Sequence, residues 1–294
     1  MSHHDYRIIV ERTELRKPDD SLPSKLFVSG NIVEIQTMGK LPPSLDRYRK
    51  IDKTSMVDLY TGEVIQHQVS THRLESKKNI RASMKALKHL VNANFSGRNS
   101  ELHITLTYST LMTDTQKLYH DFKNFWLRFR YRYPSTEYIA ICEPQRSSSW
   151  HIHLLVKDGN ENRLFIANDE VSTIWGHGFT KTVRLPVANN FGIYFTARLI
   201  DDDLLENDDD SHSNKHIVKG GRLKYYPARF RFYRKSKGIK CPVVLKMSYG
   251  EAKAYVADGY PLYRATKNII KLYSDGTRQT VNTITNEEYK IRSK

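Results

Sequence analysis

The sequence predicts an α+β fold, a central antiparallel sheet covered by helices. Two observations carry that expectation. Segments with the two-residue alternation of strands are interleaved with segments of helical period, and two of the strand-like segments are joined by a turn too short for a parallel crossover.

Taken in order, residues 1–75 mix extended pieces such as KLFVSGNIVEIQTM with the turn signals LPPS and YTGE, an N-terminal extension to which the sequence attaches no role. From Ser76 to Phe95, the residues Ile80, Met84, Leu87, Leu90 and Val91 recur at helical spacing among lysines and arginines. That pattern predicts a basic amphipathic helix packed on the domain C-terminal to it. LHITLTY, Leu102 to Tyr108, alternates apolar residues with His103, Thr105 and Thr107, the period of a half-buried strand. A helix fits Thr113 to Arg132, with Thr113 as its cap and Leu118, Phe122, Phe125 and Phe129 as an apolar stripe. EYIAICE, Glu137 to Glu143, reads as the next strand, PQRSSS as a polar turn and WHIHLLVK as the returning strand of a hairpin. Leu164 to Trp175 reads as a helix, GFTKTVRL as a strand and Asn189 to Ile200 as a further helix. An acidic run, DDDLLENDDD, then reads as a solvated loop. A central domain over 76–242 and a C-terminal extension over 243–294 complete the expected organisation.

Composition narrows the partner. Against 32 Asp and Glu stand 47 Lys and Arg, a net charge of +15, which draws polyanions; nucleic acid is the commonest of these, and no basic amphipathic membrane helix stands out. No apolar run approaches the roughly 18 residues of a membrane helix, and the start lacks the apolar core of a secretory signal. Two cysteines, Cys142 and Cys241, are too few for a disulfide scaffold or a cysteine-only zinc site. A cytoplasmic, reduced protein without membrane association is the expectation.

Chemistry is concentrated in WHIHLLV. On a strand His151 and His153 share one face while Ile152 points away. If the turn centres on Ser147, Glu143 lies across from His151 on that face and completes a two-histidine, one-carboxylate set, which leaves metal positions open for a substrate oxygen. Structural histidines, with Glu143 a surface residue beside Pro144, are the alternative. In NNFGIYFTARLI, Tyr194 and Arg198 fall on one face of the expected helix. Tyr194 reads either as a packing ring or as a nucleophile toward phosphorus, with Arg198 holding the phosphate. The run Lys219 to Lys240 holds nine basic residues and five aromatics with no acid. Its Lys219, Arg222, Lys224, Arg229, Arg231, Arg234, Lys235 and Lys237 suit a nucleic-acid backbone, and Tyr225 and Tyr226, with Phe230, Phe232 or Tyr233, suit base stacking. A hairpin with a buried aromatic face fits the same alternation.

The order of these pieces, HITLTY, then CEPQRSSSWHIHLL, then FGIYFTARL, resembles the HUH endonuclease superfamily, and within it the rolling-circle replication initiators of plasmids, integrative elements and filamentous-phage gene II type proteins. The runs IWGHGF and GGRLKYYPARFRFYRKSKGIKCP look like that branch too, and the likeness spans roughly Ala82 to Pro242. The resemblance implies a catalytic domain over 76–242, related to ferredoxin-like and RRM-like arrangements. It implies that His151 and His153, with Glu143, bind Mn²⁺ or Mg²⁺. It implies that Tyr194 attacks single-stranded DNA at a replication origin, giving a 5′-phosphotyrosine and a free 3′-OH. Many initiators carry a lysine or a second tyrosine shortly after the nucleophile, where this chain has Arg198. A host helicase and DNA polymerase are expected partners, since the chain has no GxxxxGK[ST] loop. Relaxases usually place the tyrosine before the histidines, and single-tyrosine transposases are typically much shorter. Those two nickases, and a non-catalytic basic nucleic-acid-binding regulator, are the competing readings.

Overall fold

A computed structural model of the chain describes residues 6–40, 48–52, 54–59, 61–66, 77–145, 147–186, 190, 192–193, 225–227 and 230–292. The architecture is α+β, with three antiparallel sheets and, among the described residues, four helices.

The sheet that positions the site has five strands: β7 (Glu101–Leu106), β8 (Thr136–Pro144), β9 (Trp150–Asp158), β10 (Thr180–Arg184) and β11 (Tyr233–Lys235). Their spatial order is β10-β7-β9-β8-β11. Its two faces are set by register. Ile104 lies opposite Leu154 and Cys142 opposite Ile152 on one face, while Ile139 lies opposite Leu155 on the other. All four of Ile104, Ile139, Leu154 and Leu155 are fully buried, so both faces are covered. On the first face lies α2 (Thr115–Arg132), whose Phe122 and Trp126 meet the Tyr138 ring at 5.2 and 4.2 Å between centroids. The cap of α2 is Asp114 rather than Thr113: its Oδ1 accepts from the amides of Gln116 and Lys117, two of the donors that a first turn leaves unpaired. The next helix, α3 (Asn168–Trp175), starts later than Leu164 because Leu164 and Ile166 are buried while Phe165 is exposed, an extended alternation that ends at Ala167. Gly176 closes α3 in the left-handed conformation that glycine adopts without a Cβ penalty.

Before this sheet comes α1 (Lys77–Asn92). Its Ile80, Met84, Leu87, Leu90 and Val91 join the core of the five-stranded sheet. Its opposite, polar side meets a second sheet of six strands drawn from both ends of the chain: β1 (Tyr6–Thr13), β2 (Pro23–Ser29) and β3 (Ile32–Met38) with β12 (Val243–Ser248), β13 (Tyr260–Tyr273) and β14 (Arg278–Lys290), in the order β1-β13-β14-β3-β2-β12. The outer face of this sheet buries Leu26, Val33, Ile35 and Tyr289 under α4 (Tyr249–Tyr255), which a Ser248–Glu251 capping box begins. A small meander, β4 (Tyr48–Lys50), β5 (Ser55–Asp58) and β6 (Val64–Gln66), forms the third sheet.

Candidate metal centre

The β8–β9 hairpin is closed by Gln145–Ser149, with the Gln145 amide donating to the Ser149 carbonyl. Glu143 is registered opposite His151, and Ile141 opposite His153. The hairpin centre therefore falls on Ser147, and the three side chains share one face. Their ligand atoms lie within 4.8 Å of one another. His151 Nε2 stands 2.8 Å from His153 Nε2, and Glu143 Oε2 is 3.6 Å from the first and 3.3 Å from the second. Glu143 and His151 are buried, and His153 is half-buried.

This donor set fits a metal ion. A divalent cation bound at about 2.1 Å with bonds at right angles holds neighbouring donors about 3 Å apart, and the three separations bracket that spacing. Two imidazole nitrogens and one carboxylate oxygen suit a divalent first-row ion, so the cluster can bind one. Cys142 adds nothing to it. That thiol lies on the opposite face, opposite Ile152, and burial pushes it up to about 12, far from the thiolate that ligation needs.

A fourth side chain belongs to the cluster, one that the sequence pattern did not single out. His103, on β7 and diagonal to His153, places its Nε2 3.1 Å from His153 Nδ1. With its proton on Nδ1, His153 donates to His103 and turns the lone pair of Nε2 toward Glu143 and His151, the tautomer that ligation needs. The signal lay in LHITLTY: the polar phase of that alternation, with His103 and Thr105, is the face that carries His151 and His153.

Of the other expected site residues, Tyr194, Arg198, Lys219, Arg222, Lys224 and Arg229 lie outside the described residues. In the basic segment the aromatics Tyr226, Phe230 and Phe232 are buried. Phe230 stacks on Trp150 at 4.7 Å, Tyr226 meets Trp150 edge-on, and the Tyr226 hydroxyl donates to the Cys142 carbonyl. Tyr225 is half-buried. Arg231, Lys235 and Lys237 are exposed. Arg234 departs from them, its guanidinium lying 3.7 Å from the Tyr119 ring centre of α2, on the face away from the metal cluster.

A family model described as a replication-associated protein of the ORF2 type matches residues 101–202, about a third of the chain, from β7 through the metal cluster to Tyr194 and beyond. No curated protein and no solved structure matches the chain. The match supports a replication-initiator role. No helix of the described residues is long and apolar enough to cross a membrane.

Proposed function

We propose that this protein is a rolling-circle replication initiator of the HUH kind, which nicks single-stranded DNA at an origin by transesterification. The observation that carries the reading is the convergence of Glu143, His151 and His153 on one face of a hairpin inside the stretch that matches the replication-associated family. These three residues would hold Mn²⁺ or Mg²⁺, and the cation would supply Lewis-acid polarisation of the scissile phosphate. Tyr194 Oη attacks the phosphorus. The new P–O bond forms as the bond to the 3′ oxygen breaks, leaving the 5′ phosphate on Tyr194 and a 3′-hydroxyl that primes synthesis. Arg198 steadies the phosphate, and the exposed Arg231, Lys235 and Lys237 hold the strand. Unwinding falls to a separate helicase and extension to a polymerase of the host.

Other tyrosines near the site serve poorly as nucleophiles. Tyr108 donates its hydroxyl to Asp121, and burial together with that carboxylate raises its pKa well above the usual phenol range. Incubation with Mn²⁺ and end-labelled single-stranded oligonucleotides from DNA flanking the gene tests the reading. The expected product is a covalent adduct that survives denaturant, requires metal and disappears in Tyr194→Phe, while that variant still binds DNA. Binding without adduct or cleavage would favour the non-catalytic regulator; an adduct retained in Tyr194→Phe would move the nucleophile to another tyrosine, such as Tyr225.

A further inference from the structure

The polar side of α1 grips the start of the segment that carries Tyr194. Asn92, buried in the last turn of α1, accepts the Gly192 amide on its Oδ1 and donates from its Nδ2 to Asn190 Oδ1 at 2.9 Å. Asn190 Oδ1 also accepts the amide of Ile193, three residues on, at 3.0 Å, as the side chain of a helix N-cap does, and residues 192–193 are helical. The remaining donor, Asn190 Nδ2, reaches Glu288 Oε2 of β14 at 2.8 Å. Glu288 is itself buried and held by Lys88 of α1. The fit leaves no room to slide: a Cβ on Gly192 would overlap the Lys88 carbonyl and the Asn92 amide. A buried amide with every hydrogen-bonding atom used fixes one arrangement, because any shift leaves a polar group unpaired.

From this we infer that Asn190 is a positioning residue for the cleavage reaction, and that the six-stranded sheet, which lies outside the family match, takes part in that reaction through Glu288. The inference rests on Tyr194 as the nucleophile. A phenol must meet phosphorus in a near-attack geometry, and a displacement of about 1 Å can cost on the order of 10²-fold in rate. The Asn92–Asn190–Glu288 network clamps the backbone one and two residues before Tyr194.

The test is single-turnover adduct formation by the full chain with Mn²⁺ and an oligonucleotide that the wild type cleaves, alongside Mn²⁺ and oligonucleotide affinities. Asn190→Ala should slow adduct formation on the order of 10²-fold and leave both affinities unchanged. Asn190→Asp should also be slow, because its carboxylate faces that of Glu288. Combining it with Glu288→Gln exchanges amide and carboxylate in place and should restore the rate. A wild-type rate in Asn190→Ala, or a double variant no faster than Asn190→Asp, would overturn the positioning role and leave the network to stability alone. Absence of an adduct in the wild type, or its persistence in Tyr194→Phe, would instead overturn the nucleophile assignment and this inference with it.

Discussion

Two buried clusters of carboxylate and histidine lie on strand faces in this molecule, and they are built to different ends. In one, Glu143 Oε2 faces the Nε2 atoms of His151 and His153, three lone-pair donors converging on a point. In the other, on the inner face of the six-stranded sheet, Glu34 receives the ammonium groups of Lys85 and Lys88 and stands 3.5 Å from His89 Nε2, while Glu288 shares Lys88. The second cluster carries its own cations. Burial would raise Glu34, yet Lys88 and Lys85 hold it at about 2, and Lys88 is raised in turn by Glu34 and Glu288 against the effect of its burial. The difference teaches which cluster calls for an ion from outside: donors that converge make a metal site, whereas carboxylates matched to lysines make a joint between sheets.

The widest separation between them should come from His151→Ala. Calorimetric titration should show Mn²⁺ affinity lost, and metal-supported cleavage should fall on the order of 10³-fold, the scale of removing an electrostatic stabiliser of a transition state. Thermal stability without metal should hardly move. Wild-type Mn²⁺ binding in this variant would break the comparison at its first term.

Lys88→Met probes the other term. It leaves Glu34 and Glu288 buried with one cation fewer, a change that costs about 3–5 kcal/mol when a buried pair is broken, read as a lower denaturant midpoint with Mn²⁺ affinity intact. Acid should act on the same joint. Glu34, lowered from 4.5 to about 2, contributes stability that is present above pH 4.5 and lost as pH falls through about 2. His89, lowered by burial from 6.5 to about 4, is held neutral in the fold, so its contribution is present above pH 6.5 and declines toward pH 4. The midpoint should therefore fall as pH drops from 6.5, and His89→Gln should flatten the part between 6.5 and 4.

The metal cluster was legible in the sequence because strand geometry is local: two histidines at i and i+2 share a face whatever surrounds them, and a short polar turn centred on Ser147 brings Glu143 opposite. The apolar stripe of α1 was legible for the same reason. The destination of its other side was not. Lys85, Lys88 and His89 read as a solvent-facing basic surface, and only the pairing of β3 with β14, some 250 residues apart along the chain, brings Glu34 and Glu288 to them. His103 escaped because its partner lies on another strand, through a register that alternation alone does not fix. The aromatics of the basic segment showed the pattern shared by stacking and packing, and burial of Phe230 and Phe232 against Trp150 and Tyr226 was beyond what period could decide.

His103 sharpens the first term of the comparison. Removing a side chain that orients a ligand costs about 10–100-fold in metal affinity, so His103→Ala should weaken Mn²⁺ binding by that factor, less than His151→Ala. His103→Gln, which offers an amide oxygen to the His153 Nδ1 proton, should recover part of it. Equal affinity in all three proteins would make the 3.1 Å contact incidental to the centre.

The smallest expected effect divides two neighbours in the basic segment. Arg231 is exposed, and its side chain is available to a phosphate; Arg231→Ala should reduce the salt slope of oligonucleotide binding by about one counterion without lowering the thermal midpoint. Arg234 lies over the Tyr119 ring on the face away from the metal cluster. Arg234→Ala should cost about 0.5–1 kcal/mol of stability and leave the salt slope as it was. A charge lying flat on an aromatic ring of α2 contributes to packing, whereas a charge extended into solvent a few residues away contributes to the counterion term. Identical slopes for the two variants would show that position in the sheet does not decide which arginines meet the strand.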